Sequence, residues 1–112
     1  MKTNKRGTLV ALDVAKAVAV GVGGLVGRMS PELAGQARRA AISVPLNVAE
    51  AMGRTGRDRR YRLRIAYGSA KEVETAVELA VAFGEVPGAE VAGLLRQLDR
   101  LGGLLHGLER AR

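Results

Sequence analysis

Val91-Ala92-Gly93-Leu94-Leu95-Arg96-Gln97-Leu98-Asp99-Arg100-Leu101-Gly102-Gly103-Leu104-Leu105-His106-Gly107-Leu108 sets large apolar residues at 91, 94, 98, 101, 105 and 108. Their spacings alternate between three and four, so all six lie on one face of an α-helix, which Leu95 and Leu104 widen. Such a face is stable only when other elements cover it. The stretch therefore predicts a core-facing helix over residues 88–110 and requires partners of similar length.

Working back along the chain, Gly84-Glu85-Val86-Pro87-Gly88 is a breaker, and before it Leu63, Ala66, Ala70, Val73, Val77 and Ala80 repeat the same period in smaller side chains. This predicts a helix over residues 57–83, opened by Thr55 as N-cap with Asp58 three residues on in a capping box. It has a second apolar face. Tyr61, Ile65, Ala76, Leu79 and Phe83 lie roughly 100° around from the seam, which points to a further covering surface such as another subunit.

Gly53-Arg54-Thr55-Gly56 and Arg28-Met29-Ser30-Pro31 divide the remainder. Ser30 as N-cap and Pro31 at the first helical position predict a helix over residues 31–52, with Pro45 inside it. A proline there removes one backbone hydrogen bond and clashes with the carbonyl four residues back, so a single kinked helix is expected. The first segment, over residues 8–28, is rich in Val and Ala but holds Gly21, Gly23, Gly24 and Gly27, which predicts close backbone approach or a frayed end. No segment alternates as a strand does. The expected fold is an all-α, antiparallel up-down four-helix bundle over residues 8–112, preceded by a basic tail at residues 1–7.

With 112 residues this is one domain, and 18 Lys+Arg against 11 Asp+Glu leave a net charge of +7. At 47% hydrophobic the chain is too apolar for a disordered polycation, while three aromatic residues and no Trp leave Leu, Val and Ala to build the core. The absence of Cys excludes disulfides, thiol nucleophiles and thiolate metal sites. The basic start and the uncharged run Ala17 to Gly27 resemble a signal peptide only faintly, and Asp13 and Lys16 interrupt the apolar stretch. A soluble, cytoplasmic protein with no membrane partner is expected.

Two blocks carry a resemblance. Gln36-Ala37-Arg38-Arg39-Ala40-Ala41-Ile42-Ser43-Val44-Pro45-Leu46-Asn47-Val48-Ala49-Glu50-Ala51-Met52-Gly53-Arg54 is similar to the second helix of the four-helix-bundle proteins encoded in intervening sequences of 23S ribosomal RNA genes. That helix ends Pro-x-Asn-(apolar)-Ala-Glu-Gly. Ala66-Tyr67-Gly68-Ser69-Ala70-Lys71-Glu72-Val73-Glu74-Thr75 resembles the family's Ala-x-Gly-Ser-x-x-Glu-(apolar)-Glu-Thr stretch, in the same order and at the same spacing. The likeness spans roughly residues 9 to 108, and two ordered blocks are more specific than either alone. Ala51 stands where the family has Gly, and Leu12-Asp13-Val14-Ala15-Lys16-Ala17 lacks the Trp common in the first helix. The resemblance implies a ring-like homopentamer. It further implies a relationship to the accessory variability protein of diversity-generating retroelements, a basic, non-enzymatic pentamer that works with a reverse transcriptase and its template RNA.

The strongest local signal is six arginines, Arg54, Arg57, Arg59, Arg60, Arg62 and Arg64, against one acid, Asp58. On a helix, Arg57, Arg60, Arg64, Tyr67 and Lys71 form one stripe roughly 130° from the Leu63/Ala66/Ala70 seam. Guanidinium groups grip phosphate oxygens bidentately, Gly53 and Gly56 let backbone N–H groups approach an anion, and Tyr67 offers a ring for a base. Arg38 and Arg39, with Lys2, Lys5 and Arg6, would extend this surface, and a pentamer would multiply the charge. The expectation is polyanion binding, RNA in particular. The competing reading is a solvated face whose arginines pair with acids of a neighbouring helix.

Asn47, Glu50, Ser69, Glu72 and Glu74 make up the polar part of the two blocks. Di-iron bundles use Glu-x-x-His on two helices, whereas here His106 stands alone and no acid precedes it by three residues, so neither metal nor cofactor is expected. A hydrogen-bond network between the second and third helices, or a subunit contact, accounts better for them. Ser43 and Ser69 lack a recognisable base, and Gly21-Val22-Gly23-Gly24-Leu25-Val26-Gly27 has its third glycine one residue late for a dinucleotide loop and no strand before it. No catalytic residue is assigned.

Overall fold

A computed structural model describes residues 5–111, and these fold as four α-helices with no strand among them. The helices are α1 (Lys5–Gly23), α2 (Pro31–Met52), α3 (Gly56–Ala82) and α4 (Gly88–Arg110), with a 3₁₀ turn, Val26–Arg28, after α1. Consecutive helices pack side by side and α1 closes against α4, so the chain makes an up-down bundle 48 Å long and about 20 Å across. Of the expected N-terminal tail, residues 1–4 and with them Lys2 lie outside the described residues.

The core is aliphatic, as the composition requires. Leu63, Leu101 and Leu105 are its largest fully buried side chains, enclosed by Val18, Val22, Val44, Val48, Val73, Val77 and Val91. The seam predicted for the third helix is buried at every position, and that of the fourth at all but Leu94, which packs against the core from its edge. Small residues suit a close approach of α2 and α3: Ala37, Ala40, Ala41 and Ala51 of α2 and Ala66, Ala70, Ala76 and Ala80 of α3 are all buried in a bundle where this pair has the most extensive contact. Ala76 therefore belongs to the interior, not to the outward face expected for it.

The helix ends show which local signals operate. Ser30 precedes α2 and Pro31 opens it, but the Ser30 side chain makes no capping bond; its backbone N–H donates instead to Glu85 Oε1 (2.9 Å) across the end of the bundle. Thr55 occupies the N-cap position of α3 without a side-chain cap, and Asp58 is drawn to Arg54 at 2.7 Å, so no capping box forms. The α3 C-terminus closes with the N–H of Gly84 on the carbonyl of Val81 and that of Glu85 on Ala80, the paired bonds of a Schellman motif. Gly84 there has φ +75°, a left-handed conformation that any other residue adopts with strain.

α2 continues unbroken through Pro45 from Pro31 to Met52. α1 is described from Lys5 and stops at Gly23, five residues short of the expected end, where the glycine run passes into the 3₁₀ turn. Gly21 serves close approach, since a Cβ at that position would stand 3.2 Å from Leu94 Cδ1 of α4. The expectation that Asp13 and Lys16 break this helix's apolar run is corrected. Lys5–Arg28 is long and apolar enough to cross a membrane by length and composition, and 33% of its most apolar window is buried inside the bundle. Asp13 and Lys16 project outward while Ala11, Val14, Ala15, Val18 and Val22 enter the core.

Candidate nucleic-acid interface

Cross-helix contacts set the register between α3 and α4. Arg64 Nε faces Glu109 Oε1 at 3.7 Å, the Tyr67 ring lies 5.7 Å from that of His106, and Tyr67 and Lys71 pack over Gly102. Each step back along α3 is thus a step forward along α4. Arg60 and Arg57 come level with positions past Arg110, where α4 has ended. The first two turns of α3 consequently stand clear of α4, and an open cleft of about 670 Å³ lies there, lined by Arg57, Asp58, Arg60, Tyr61 and Arg64.

The six clustered arginines separate into different roles. Arg54 is a clip across the α2–α3 turn, donating to Asp58 (2.7 Å) and Glu50 (3.1 Å); the hydrogen bond to Asp58, reinforced by both carboxylates, holds its pKa above the usual arginine value. Arg59 is turned into the bundle, only 7% exposed, with Nη2 donating to Thr8 Oγ1 of α1 at 3.1 Å. Arg62 is half-buried, its Nε sealed without a hydrogen-bond partner and its guanidinium 5.8 Å from the Tyr61 ring centre. Arg57, Arg60 and Arg64 remain, and they share the cleft.

Helix stability does not explain this arrangement. The N-terminal end of a helix carries the positive pole of its dipole, so acids stabilise the first turns and cations oppose them. In α3 the one acid of the first turn, Asp58, is held by Arg54, while Arg57, Arg59, Arg60, Arg62 and Arg64 fill the first three turns and Glu72, Glu74 and Glu78 follow toward the negative end. The N-terminal end of the helix and the cleft-lining arginines therefore place positive charge at the same end of α3, an arrangement suited to an anion.

Two residues expected in the basic stripe are engaged elsewhere. Tyr67 is half-buried between His106 and Lys71, with the Lys71 ammonium 5.5 Å from its ring centre and 3.4 Å from Glu74. The period was right, but the register carries this half of the stripe onto α4. Tyr61, 55% exposed beside Arg57, Arg60 and the loosely paired Arg64, is the aromatic ring open to a ligand. Arg38 and Arg39 are exposed on α2 but stand about 20 Å from the cluster along the helix axis, at 1.5 Å per residue. His106, expected at the core edge, is exposed and approaches Arg110 at 3.4 Å.

The α2–α3 network exists in a smaller form than expected. Ser43 Oγ and Ser69 Oγ share a hydrogen bond of 2.8 Å, and Asn47 Nδ2 donates to the carbonyl (2.9 Å) and hydroxyl (3.1 Å) of Ser43. Ser43, one turn before Asn47, was the missing member. Glu50 turns to Arg54, Glu74 to Lys71, and Glu72 is exposed. Among the described residues no three His, Asp or Glu side chains gather as metal ligands would. On the outward side, Ile65 is half-buried while Leu79 (40%) and Phe83 (63%) are exposed, as are Ile42 and Leu46 of α2.

A basic four-helix bundle with an arginine-lined end is the class that these features define. The chain belongs to the 23S rRNA-intervening sequence protein family, whose model matches residues 11–107. Its backbone is similar to the crystal structure of a protein of unknown function from the S23 ribosomal protein family of Bacteroides thetaiotaomicron. The TM-score is 0.85 at 22% identity, over 94% of this chain and 99% of that one. No curated protein matches the chain.

Proposed function

We propose that this protein is a non-enzymatic, homo-oligomeric scaffold that binds nucleic acid, RNA in particular, through the end of α3 that projects past α4. The observation that carries the reading is the trio Arg57, Arg60 and Arg64 around an open cleft at a helix N-terminus, where their charge opposes helix stability and suits a polyanion. The guanidinium groups grip successive phosphates, and Tyr61 stacks on an unpaired base. Single-stranded or looped RNA, whose bases are free to stack, is the preferred partner over duplex.

The oligomer, a homopentamer in the reading that the family resemblance supports, forms through the outward side chains Ile65, Leu79 and Phe83 of α3 with Ile42 and Leu46 of α2. Its ring multiplies a protomer charge of +7 into a surface that steers RNA over a long range. In the most concrete version the ring holds a template RNA for a reverse transcriptase, as an accessory protein of a diversity-generating retroelement. A second reading rests on the exposed Leu79 and Phe83: a structural oligomer that binds another protein through this face, its arginines serving solubility alone.

The deciding experiment is fluorescence anisotropy with labelled unpaired RNA and duplex DNA at two salt concentrations, with oligomeric mass measured in the same buffers. The first reading expects binding that weakens steeply with salt and favours unpaired RNA. No binding to either nucleic acid at low salt refutes it and leaves the protein-binding reading.

A further inference from the structure

We infer that the cavity between the start of α1 and the α2–α3 corner binds a small organic anion, a carboxylate or phosphate head on an apolar body. The cavity measures about 260 Å³ and is lined by Lys5, Thr8, Leu9, Met52 and Arg59. None of these residues lines the cleft of Arg57, Arg60 and Tyr61, so the inference stands or falls apart from the nucleic-acid reading.

Arg59 carries the argument. Its guanidinium cannot shed its proton, and it is 93% withdrawn from solvent, with 7% exposure remaining. A buried charge is ordinarily paired. Among the described residues no carboxylate lies within ion-pairing distance of Arg59, and its hydrogen bond goes to the neutral Thr8 hydroxyl. The charge also sits in the first turn of α3, where the helix dipole opposes it. An apolar side chain of similar length would serve the packing better, so the guanidinium has a use that packing does not supply. Lys5 adds a second cation at the same cavity, and an anion reaching both would meet two charge-assisted hydrogen bonds in a partly desolvated place.

The apolar part of the lining gives the ligand its second half. Leu9 and Met52 are 49% and 44% exposed and border the cavity, so an inorganic ion would leave their apolar surface wet while an attached aliphatic or aryl group would cover it. At about 30 Å³ per group of the size of water, the space holds roughly eight non-hydrogen atoms. Hexanoate, with a carboxylate and a short chain, has that size and chemistry.

The test is a titration of the intact protein with hexanoate, propyl phosphate, hexylamine and inorganic phosphate, followed by amide chemical shifts of Thr8, Leu9 and Arg59. Saturable shifts with hexanoate or propyl phosphate, at least tenfold tighter than with inorganic phosphate and absent with hexylamine, are expected; which head binds tighter identifies the anion class. Arg59→Met should abolish the response while raising the thermal midpoint of the unliganded protein. Met52→Glu, which sets a carboxylate in the same lining and leaves Arg59 in place, should abolish it too. No saturable shift with either organic anion, an equal response to hexylamine, or undiminished binding in folded Arg59→Met overturns the inference.

Discussion

Replacing Arg57, Arg60 and Arg64 together by glutamine should change the salt dependence of RNA binding by an amount that the geometry sets. Each lines the cleft, Arg57 and Arg60 beyond the end of α4 and Arg64 level with Glu109 near it, and glutamine has nearly the same helix propensity as arginine, so the bundle should keep its stability and its mass in solution. For a single strand, each phosphate contact adds about 0.7 to the slope of log affinity against log salt, so losing three contacts should flatten that slope by about 2. Between about 50 and 200 mM salt, wild type should lose roughly 20-fold more affinity than the triple variant. Anisotropy of a short labelled RNA across a salt series measures both slopes. Arg54→Gln is the control, because the Arg54 guanidinium is already held by Asp58 and Glu50; its slope should move by less than one phosphate's worth. A triple variant with the wild-type slope, or an Arg54 variant that matches the triple, would refute the assignment of the cleft.

Tyr61→Ala should weaken binding of unpaired RNA by about 1–3 kcal/mol with little change in fold stability, whereas Tyr67→Ala should lower the urea midpoint and leave RNA affinity within twofold or so. Leu101→Ala, at a position with no solvent exposure, should destabilise the bundle by about 2–5 kcal/mol in urea denaturation. Gly84→Ala forces a side chain into φ +75° and should cost about 1 kcal/mol by the same measurement. The Arg28 hydrogen bond at 2.6 Å, with its charge, holds the Glu90 carboxyl below its usual value. A carboxyl whose pKa is lowered by folding adds stability above its unfolded pKa and loses it as pH falls through the folded one. The stability difference between wild type and Glu90→Gln should therefore be present near neutral pH, shrink through the acidic carboxylate range, and stay small throughout because the pair is exposed.

The four helices were legible because burial imposes a period on the chain. The Leu and Ala seams of α3 and α4 enter the core almost residue for residue, and Pro31 and Gly84 mark ends that a helix cannot cross at will. Capping was less legible, since a cap is a competition. Asp58 suits a capping box, but Arg54 lies one turn behind it and its charge wins the carboxylate. The basic stripe was legible as a period and not as a surface. Spacing puts Arg57, Arg60, Arg64, Tyr67 and Lys71 on one side of α3, but only the register against α4 decides that Tyr67 is half-buried against His106, with the exposed Lys71 over its ring. Tyr61 had been assigned to an apolar face because its type and spacing fit one. The fate of Arg59 depends on Thr8, 51 residues away, and no local pattern carries a contact of that range.

The most direct test of the nucleic-acid account observes the arginine side chains themselves. Nε–Hε resonances of the purified protein, titrated with unpaired RNA, should shift for Arg57 and Arg60, and for Arg64 as RNA displaces its 3.7 Å contact with Glu109, and stay in place for Arg54, which Asp58 and Glu50 both hold, and for Arg38 and Arg39, which lie down the axis. Shifts confined to Arg38 and Arg39, or none while RNA is bound, would contradict the account and move the binding surface away from the projecting end of α3.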